Sequence, residues 1–124
     1  MTHTHIYKDI ILEHYKNPKY RGKMKDANAR SASSNYLCGD YIEISAKLSK
    51  GKVKDIKFEG GGCAISIACA DILCSIAIGK TIDEIISFSG DDLFKNIGFV
   101  PTAARLKCAL LALDTLKRAV KRKN

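Results

Sequence analysis

Cysteine and aspartate carry most of the chemistry legible in this sequence. Cys38-Gly39-Asp40 stands directly before a run of alternating apolar residues. In an extended chain, residues i and i+2 project to the same side, so the Cys38 thiol and Asp40 carboxylate can converge on one centre. Gly39 lets the backbone approach that centre closely. Cys63 follows Gly60-Gly61-Gly62 and opens a long apolar segment. At a helix N-terminus, free N–H groups and the positive dipole end suit a thiolate, the form that binds metal or attacks sulfur. The glycines would leave a side-chain-free wall for an inorganic group. Cys108 falls in the second turn of the expected last helix, with Arg105 and Lys107 as cationic neighbours. Three soft thiolates and one hard carboxylate suit Zn²⁺ or an iron–sulfur cluster. A carboxylate should bind iron less tightly than a fourth thiolate, which suits a site that gives its cargo away. Cys69 and Cys74 lie inside the apolar segment and read as core, the commoner place for a free cysteine. His14 packs or snorkels at the edge of the first helix, and no histidine is expected as a ligand.

The elements that must position these residues follow from periodicity. Tyr7, Ile10, Ile11 and His14 make one face of a helix over residues 5–16, ended by Asn17-Pro18. Residues 19–34 read as a loop with room for a short edge strand. Ile42, Ile44, Ala46 and Leu48 alternate with Glu43, Ser45 and Lys47 as a strand. A turn at residues 49–52 leads to a second strand with Val53, Ile56 and Phe58. Residues 64–78 are apolar nearly all round and predict a buried helix closed by Gly79. Thr81 and Glu84 form a capping box for a short helix through Phe88, residues 89–92 a loop, with a further helical turn before Gly98. Pro101 is expected to open the last helix, with Leu106, Leu110, Leu113 and Val120 as its stripe. Its basic end suits a helix C-terminus. The expected fold is α+β: a small antiparallel sheet of about three strands with helices packed on one face.

Composition narrows the function. At 124 residues, 46% hydrophobic and 27% charged, the chain reads as one globular domain over residues 1–124. No apolar run has the roughly 20 residues that span a bilayer, and no signal segment opens the chain, so the expected location is cytoplasmic and no membrane partner is expected. Five cysteines are odd in number and sit among helix and strand patterns, unlike a secreted disulfide framework. A net charge of +8 calls for an anionic partner. Nucleic acid is not expected, for want of any zinc-finger spacing, aromatic strand pair or Arg-rich recognition helix. An acidic protein accounts for the charge as well.

Four blocks carry a resemblance: "YKDIILEHYKNPKYRGKM", "LCGDYIEI", "VKDIKFEGGGCAISIACADIL" and "ARLKCALLALDTLKRAV". In order and cysteine content they resemble the U-type iron–sulfur scaffolds: IscU, SufU and the N-terminal domain of NifU. The resemblance implies a SufE/NifU-like fold and a scaffold, not an enzyme. Such a scaffold takes sulfur from a cysteine desulfurase, assembles a [2Fe-2S] cluster and passes it to acceptor apoproteins such as ferredoxins. It implies a metal site of Cys38, Asp40, Cys63 and Cys108, with Cys108 as sulfur acceptor, and it leaves room for a homodimer. Lys107 stands where IscU has a histidine, which removes histidine ligation and speaks against recognition by an Hsp70-type chaperone. A lysine there would instead be a supporting cation. The "ARLKC" form resembles SufU, which binds zinc, although the short stretch over residues 91–101 lacks SufU's insertion. Two readings follow: a cluster scaffold, or a zinc-dependent sulfurtransferase relaying persulfide.

Overall fold

Three strands form one antiparallel sheet in the order β1-β2-β3: β1 is Ala29–Asn35, β2 is Asp40–Ser49 and β3 is Lys52–Gly61. The structure, a computed structural model, describes residues 3–36, 39–98 and 100–122, with side chains of the first helix described from Asp9 onward. The helices are α1 (His3–Lys16), α2 (Ala64–Ala77), α3 (Ile82–Ser87), α4 (Gly90–Ile97) and α5 (Leu106–Lys121), the last preceded by a 3₁₀ turn at Ala103–Arg105. The fold is α+β, with helices laid on the sheet.

The strands form where alternation lets one face be buried. Ile42, Ile44 and Ala46 of β2 are fully buried, as are Ile56 and Phe58 opposite them in register. The two strands join through Lys50 (φ 54°) and Gly51 (φ 74°), both left-handed, the geometry that matches a two-residue hairpin to strand twist. Lys47 faces Asp55 and Leu48 faces Val53, so Lys54 is an extra residue in β3. That bulge lets Val53 and Ile56, three residues apart, both face the core, and it leaves Leu48 only partly buried.

α2 is the central helix, with every residue from Ser66 to Cys74 buried. It packs against β3, α1 and α5, and α5 also covers β1 and β2. Each fully buried Ile, Leu or Phe here contributes about 1.5–3 kcal/mol, so Ile67, Leu73, Phe58 and Leu116 anchor the layers. At its end Ile78 turns to extended backbone and Gly79 (φ 87°) reverses the chain.

Three expectations are corrected. The residues read as a loop, 89–92, open α4 instead: the Ser89 hydroxyl accepts from the Asp92 N–H and the Asp92 carboxylate accepts from the Ser89 N–H. This is the same capping box that Thr81 and Glu84 give α3. Pro101 does not open the last helix; it is buried ahead of the 3₁₀ turn, and α5 begins at Leu106. Cys108 therefore sits in the first turn of α5, not the second. The edge strand within the expected loop is a full seven residues, β1.

Candidate metal centre

Asp40 opens β2 and is 2% exposed. Its Oδ1 accepts a hydrogen bond from the Cys63 backbone N–H at 2.9 Å. Its Oδ2 is buried without a hydrogen-bond partner among the described residues, an orphan that would cost about 1–3 kcal/mol if nothing ever met it. Cys63 is the N-cap of α2, extended at φ −75°, ψ 164°, and its side chain makes no cap bond. Its thiol is thus free to point at something other than the helix. Cys108 is fully buried in the first turn of α5. Both thiols sit at helix N-termini, where the dipole favours an anion.

One ligand atom from each of Asp40, Cys63 and Cys108 comes within 4.8 Å of the other two. A single tetrahedral ion with bonds of about 2.0–2.3 Å holds its donors about 3.3–3.8 Å apart, so a small closure brings these three onto one ion. The donor set fits: two soft sulfurs and an orphaned carboxylate oxygen. Cys38, the fourth expected ligand, lies outside the described residues. Lys107 is exposed on α5 beside Cys108.

The loop glycines fit this cluster sterically. A Cβ at Gly62 (φ 142°) would overlap Asp40 Oδ1 and lie 2.9 Å from the Asp40 Cα, whereas at Gly61 it would meet nothing within 4 Å. At Gly60 it would overlap the Tyr41 carbonyl oxygen. Glycine at 60 and 62 lets the end of β3 close onto the start of β2, which seats the Asp40 carboxylate against the Cys63 N–H. From the sequence these glycines are expected to form a wall for an inorganic group; their contact with Asp40 is an additional role.

The other two cysteines stand apart from this chemistry. Burial, reinforced by the neighbouring Cys63, pushes the Cys69 thiol up to about 12. Burial and the nearby Asp71 push Cys74 up as well. Both stay protonated in the core, in line with the packing role expected of them.

Two features escaped the sequence reading. His14 does more than pack: its Nδ1 lies 2.6 Å from Oδ2 of Asp71, and Oδ1 of Asp71 accepts from the Tyr20 N–H at 2.9 Å. Asp71 is fully buried on α2, and a lone acid in an apolar helix was the signal that a partner must come from elsewhere. Asn35 pairs opposite Asp40 in the sheet, with its Nδ2 buried and without a hydrogen-bond partner among the described residues. No sequence signal marks it.

Comparison with known proteins places this geometry in context. The NifU-like N terminal domain family matches residues 6–123. The iron–sulfur cluster assembly scaffold protein IscU of Thermotoga maritima is 36% identical over 133 residues, covering 94% of this chain and 94% of that protein. The zinc-dependent sulfurtransferase SufU of Bacillus subtilis is 33% identical over 132 residues, covering 93% of this chain and 89% of the relative. Among solved structures, the SUF-system scaffold FiSufU of Fervidobacterium islandicum AW-1 aligns with a TM-score of 0.81 at 28% identity, covering 97% of this chain and 99% of that one. The N-terminal NifU-like domain from Brucella abortus has the same fold, with a TM-score of 0.81 at 24% identity over 94% of this chain and 93% of its own.

Proposed function

This chain belongs to the NifU-like N terminal domain family, and from that premise we propose that it is a scaffold on which an iron–sulfur cluster is assembled and given away. The observation that carries the reading is the convergence of Asp40, Cys63 and Cys108, with one Asp40 oxygen buried and unpartnered. Cys38, close in sequence to Asp40, is the fourth ligand of the proposed site. The cargo is a transient [2Fe-2S] cluster. Sulfur comes from a cysteine desulfurase: the Cys108 thiolate attacks the outer sulfur of the donor persulfide, the donor's S–S bond breaks, and the donor cysteine leaves as a thiolate. Two such sulfurs take four electrons to become the sulfides of the cluster, two from the Fe²⁺ ions and two from an external thiol or ferredoxin reductant. Lys107 offsets negative charge at the resulting persulfide. Asp40, a harder and weaker ligand for iron than a thiolate, keeps the cargo transferable to acceptor apoproteins such as ferredoxins. The protein acts in the cytoplasm and turns over no substrate of its own.

A second reading is favoured by one observation. The donor atoms lie within 4.8 Å of one another, nearer to the spacing of a single ion than to that of a two-iron cluster, which must spread its ligands. A resident Zn²⁺ on the same residues would make the protein a sulfurtransferase relaying persulfide, as the name of the Bacillus relative states for that protein. On the scaffold reading, the compact arrangement is the state that receives the first iron.

Anaerobic purification followed by incubation with Fe²⁺, cysteine and a desulfurase separates the two. Iron and acid-labile sulfide that move together to an apo-ferredoxin support the scaffold. One zinc per chain that iron fails to displace, with faster desulfurase turnover, would replace it by the relay.

A further inference from the structure

The two edges of the sheet are treated differently. The β3 edge is covered by backbone at two places: Phe58 exchanges hydrogen bonds with the Tyr20 carbonyl and the Gly22 N–H, and Val53 with the Lys80 carbonyl and the Gly79 N–H. The β1 edge has no such backbone cover among the described residues. The Arg122 guanidinium reaches the Arg30 carbonyl from outside the sheet at 3.5 Å, so the backbone groups of Arg30 point outward. The two-residue period then turns the N–H and C=O of Ala32 and Ser34 outward as well, as a free template for another strand.

Beside that edge lies a groove of about 500 Å³, with residues 33–36 of β1 and its end on one side and Lys107, Asp114 and Arg118 of α5 on the other. Its chemistry calls for an anion. Lys107 and Arg118 outnumber Asp114, and the chain as a whole carries +8. Arg118 already donates to the Ser33 hydroxyl at 2.8 Å, which holds its guanidinium over the edge. Tyr36, 93% exposed at the mouth, is the kind of aromatic that dominates binding energy once covered. A second copy of this chain is a poor occupant, because Lys107, Arg118 and Arg122 would be set against their own copies.

We propose that this groove docks an extended acidic segment of a partner protein, paired with Ala32 and Ser34 as a fourth strand, with its carboxylates on Lys107 and Arg118. Backbone pairing supplies affinity and the flanking cations select acidic side chains. The groove adjoins the ligand cluster at both ends of its wall: Asn35 pairs with Asp40, and Lys107 precedes Cys108. A segment held there brings its owner to the site of loading or unloading. That purpose rests on the function proposed above, but the docking itself does not.

The test uses the metal-free full chain and a fluorescein-labelled synthetic peptide alternating Glu and Val, with a Lys–Val peptide as counterpart. The Glu–Val peptide should bind, bind more weakly as salt rises, and slow hydrogen exchange at the Ala32 and Ser34 amides. Arg118→Glu should weaken it about tenfold, and Arg118→Gln by less, with unfolding midpoints measured to show that both variants are folded. Equal binding of the two peptides, or Glu–Val binding that leaves the Ala32 and Ser34 exchange rates unchanged, overturns the proposal. Zinc titration of the unliganded chain is run alongside. Failure there would count against the metal centre and leave the docking result standing.

Discussion

Gly62→Ala tests the seating of Asp40 most sharply. The new methyl would overlap Asp40 Oδ1 and lie 2.9 Å from the Asp40 Cα, against about 3.4 Å for ordinary contact. Backbone must therefore move by about 0.5 Å and the carboxylate by more, which breaks the 2.9 Å bond from the Cys63 N–H. A lost hydrogen bond to a charged group costs about 1.5–3 kcal/mol. A non-glycine residue at φ 142° adds strain of about 1–3 kcal/mol. The two add to about 2.5–6 kcal/mol, and partial relaxation brings the expected loss to roughly 2–5 kcal/mol in urea unfolding of the metal-free protein. Zinc affinity should fall too, since one ligand is displaced. Gly61→Ala is the internal control: its methyl meets nothing within 4 Å, so it should change stability by less than about 0.5 kcal/mol. If Gly62→Ala matched that control in both stability and metal affinity, the close approach of the two loops would not be what seats Asp40.

Two further outcomes test the structure away from the centre. His14→Ala should cost about 2–3 kcal/mol in urea unfolding, because it leaves the fully buried Asp71 carboxylate with the Tyr20 N–H as its remaining described hydrogen bond; a loss below about 0.5 kcal/mol would show that the pair does not hold α1 to α2. The raised Cys69 thiol makes stability depend on alkali. Its folded pKa, about 12, lies above the 9.0 of an ordinary thiol, so its contribution is complete below pH 9.0 and is lost as pH rises toward 12. Cys74, raised in the same way, adds a slope of its own, so the two thiols together give roughly 2.7 kcal/mol per pH unit and Cys69→Ala should remove about half of it; an unchanged slope in that variant would mean that the Cys69 thiol is not held protonated by burial.

Much of the architecture was legible because local chemistry and tertiary demand agreed. β2 alternates cleanly, and Thr81 with Glu84 signals a helix start in four residues. The misses have physical causes. Ser89 and Asp92 make the same box with a shorter acid behind a glycine, so local propensity pointed to a loop while the buried Leu93, Phe94 and Ile97 made the helix worthwhile. β1 reads Ala-Arg-Ser-Ala-Ser-Ser-Asn, with little strand propensity; pairing with β2 and cover from α5 make it a strand. Pro101 can begin a helix but does not compel one, and the chain turns once more before Leu106. At the centre, glycine beside Cys38 and Cys63 drew notice to those thiols. The contact of Gly62 with Asp40 and the unpaired Asn35 amide depend on how β2 closes on its neighbours, which no local pattern reports.

The central claim is that Asp40, Cys63 and Cys108, with Cys38, hold a transferable metal centre. Iron and acid-labile sulfide per chain, measured anaerobically after desulfurase-driven reconstitution in parallel preparations, test it directly. Cys63→Ala and Cys108→Ala should lose both, whereas Cys69→Ala should keep both and pass them to apo-ferredoxin. Retention in Cys108→Ala together with loss in Cys69→Ala would contradict it.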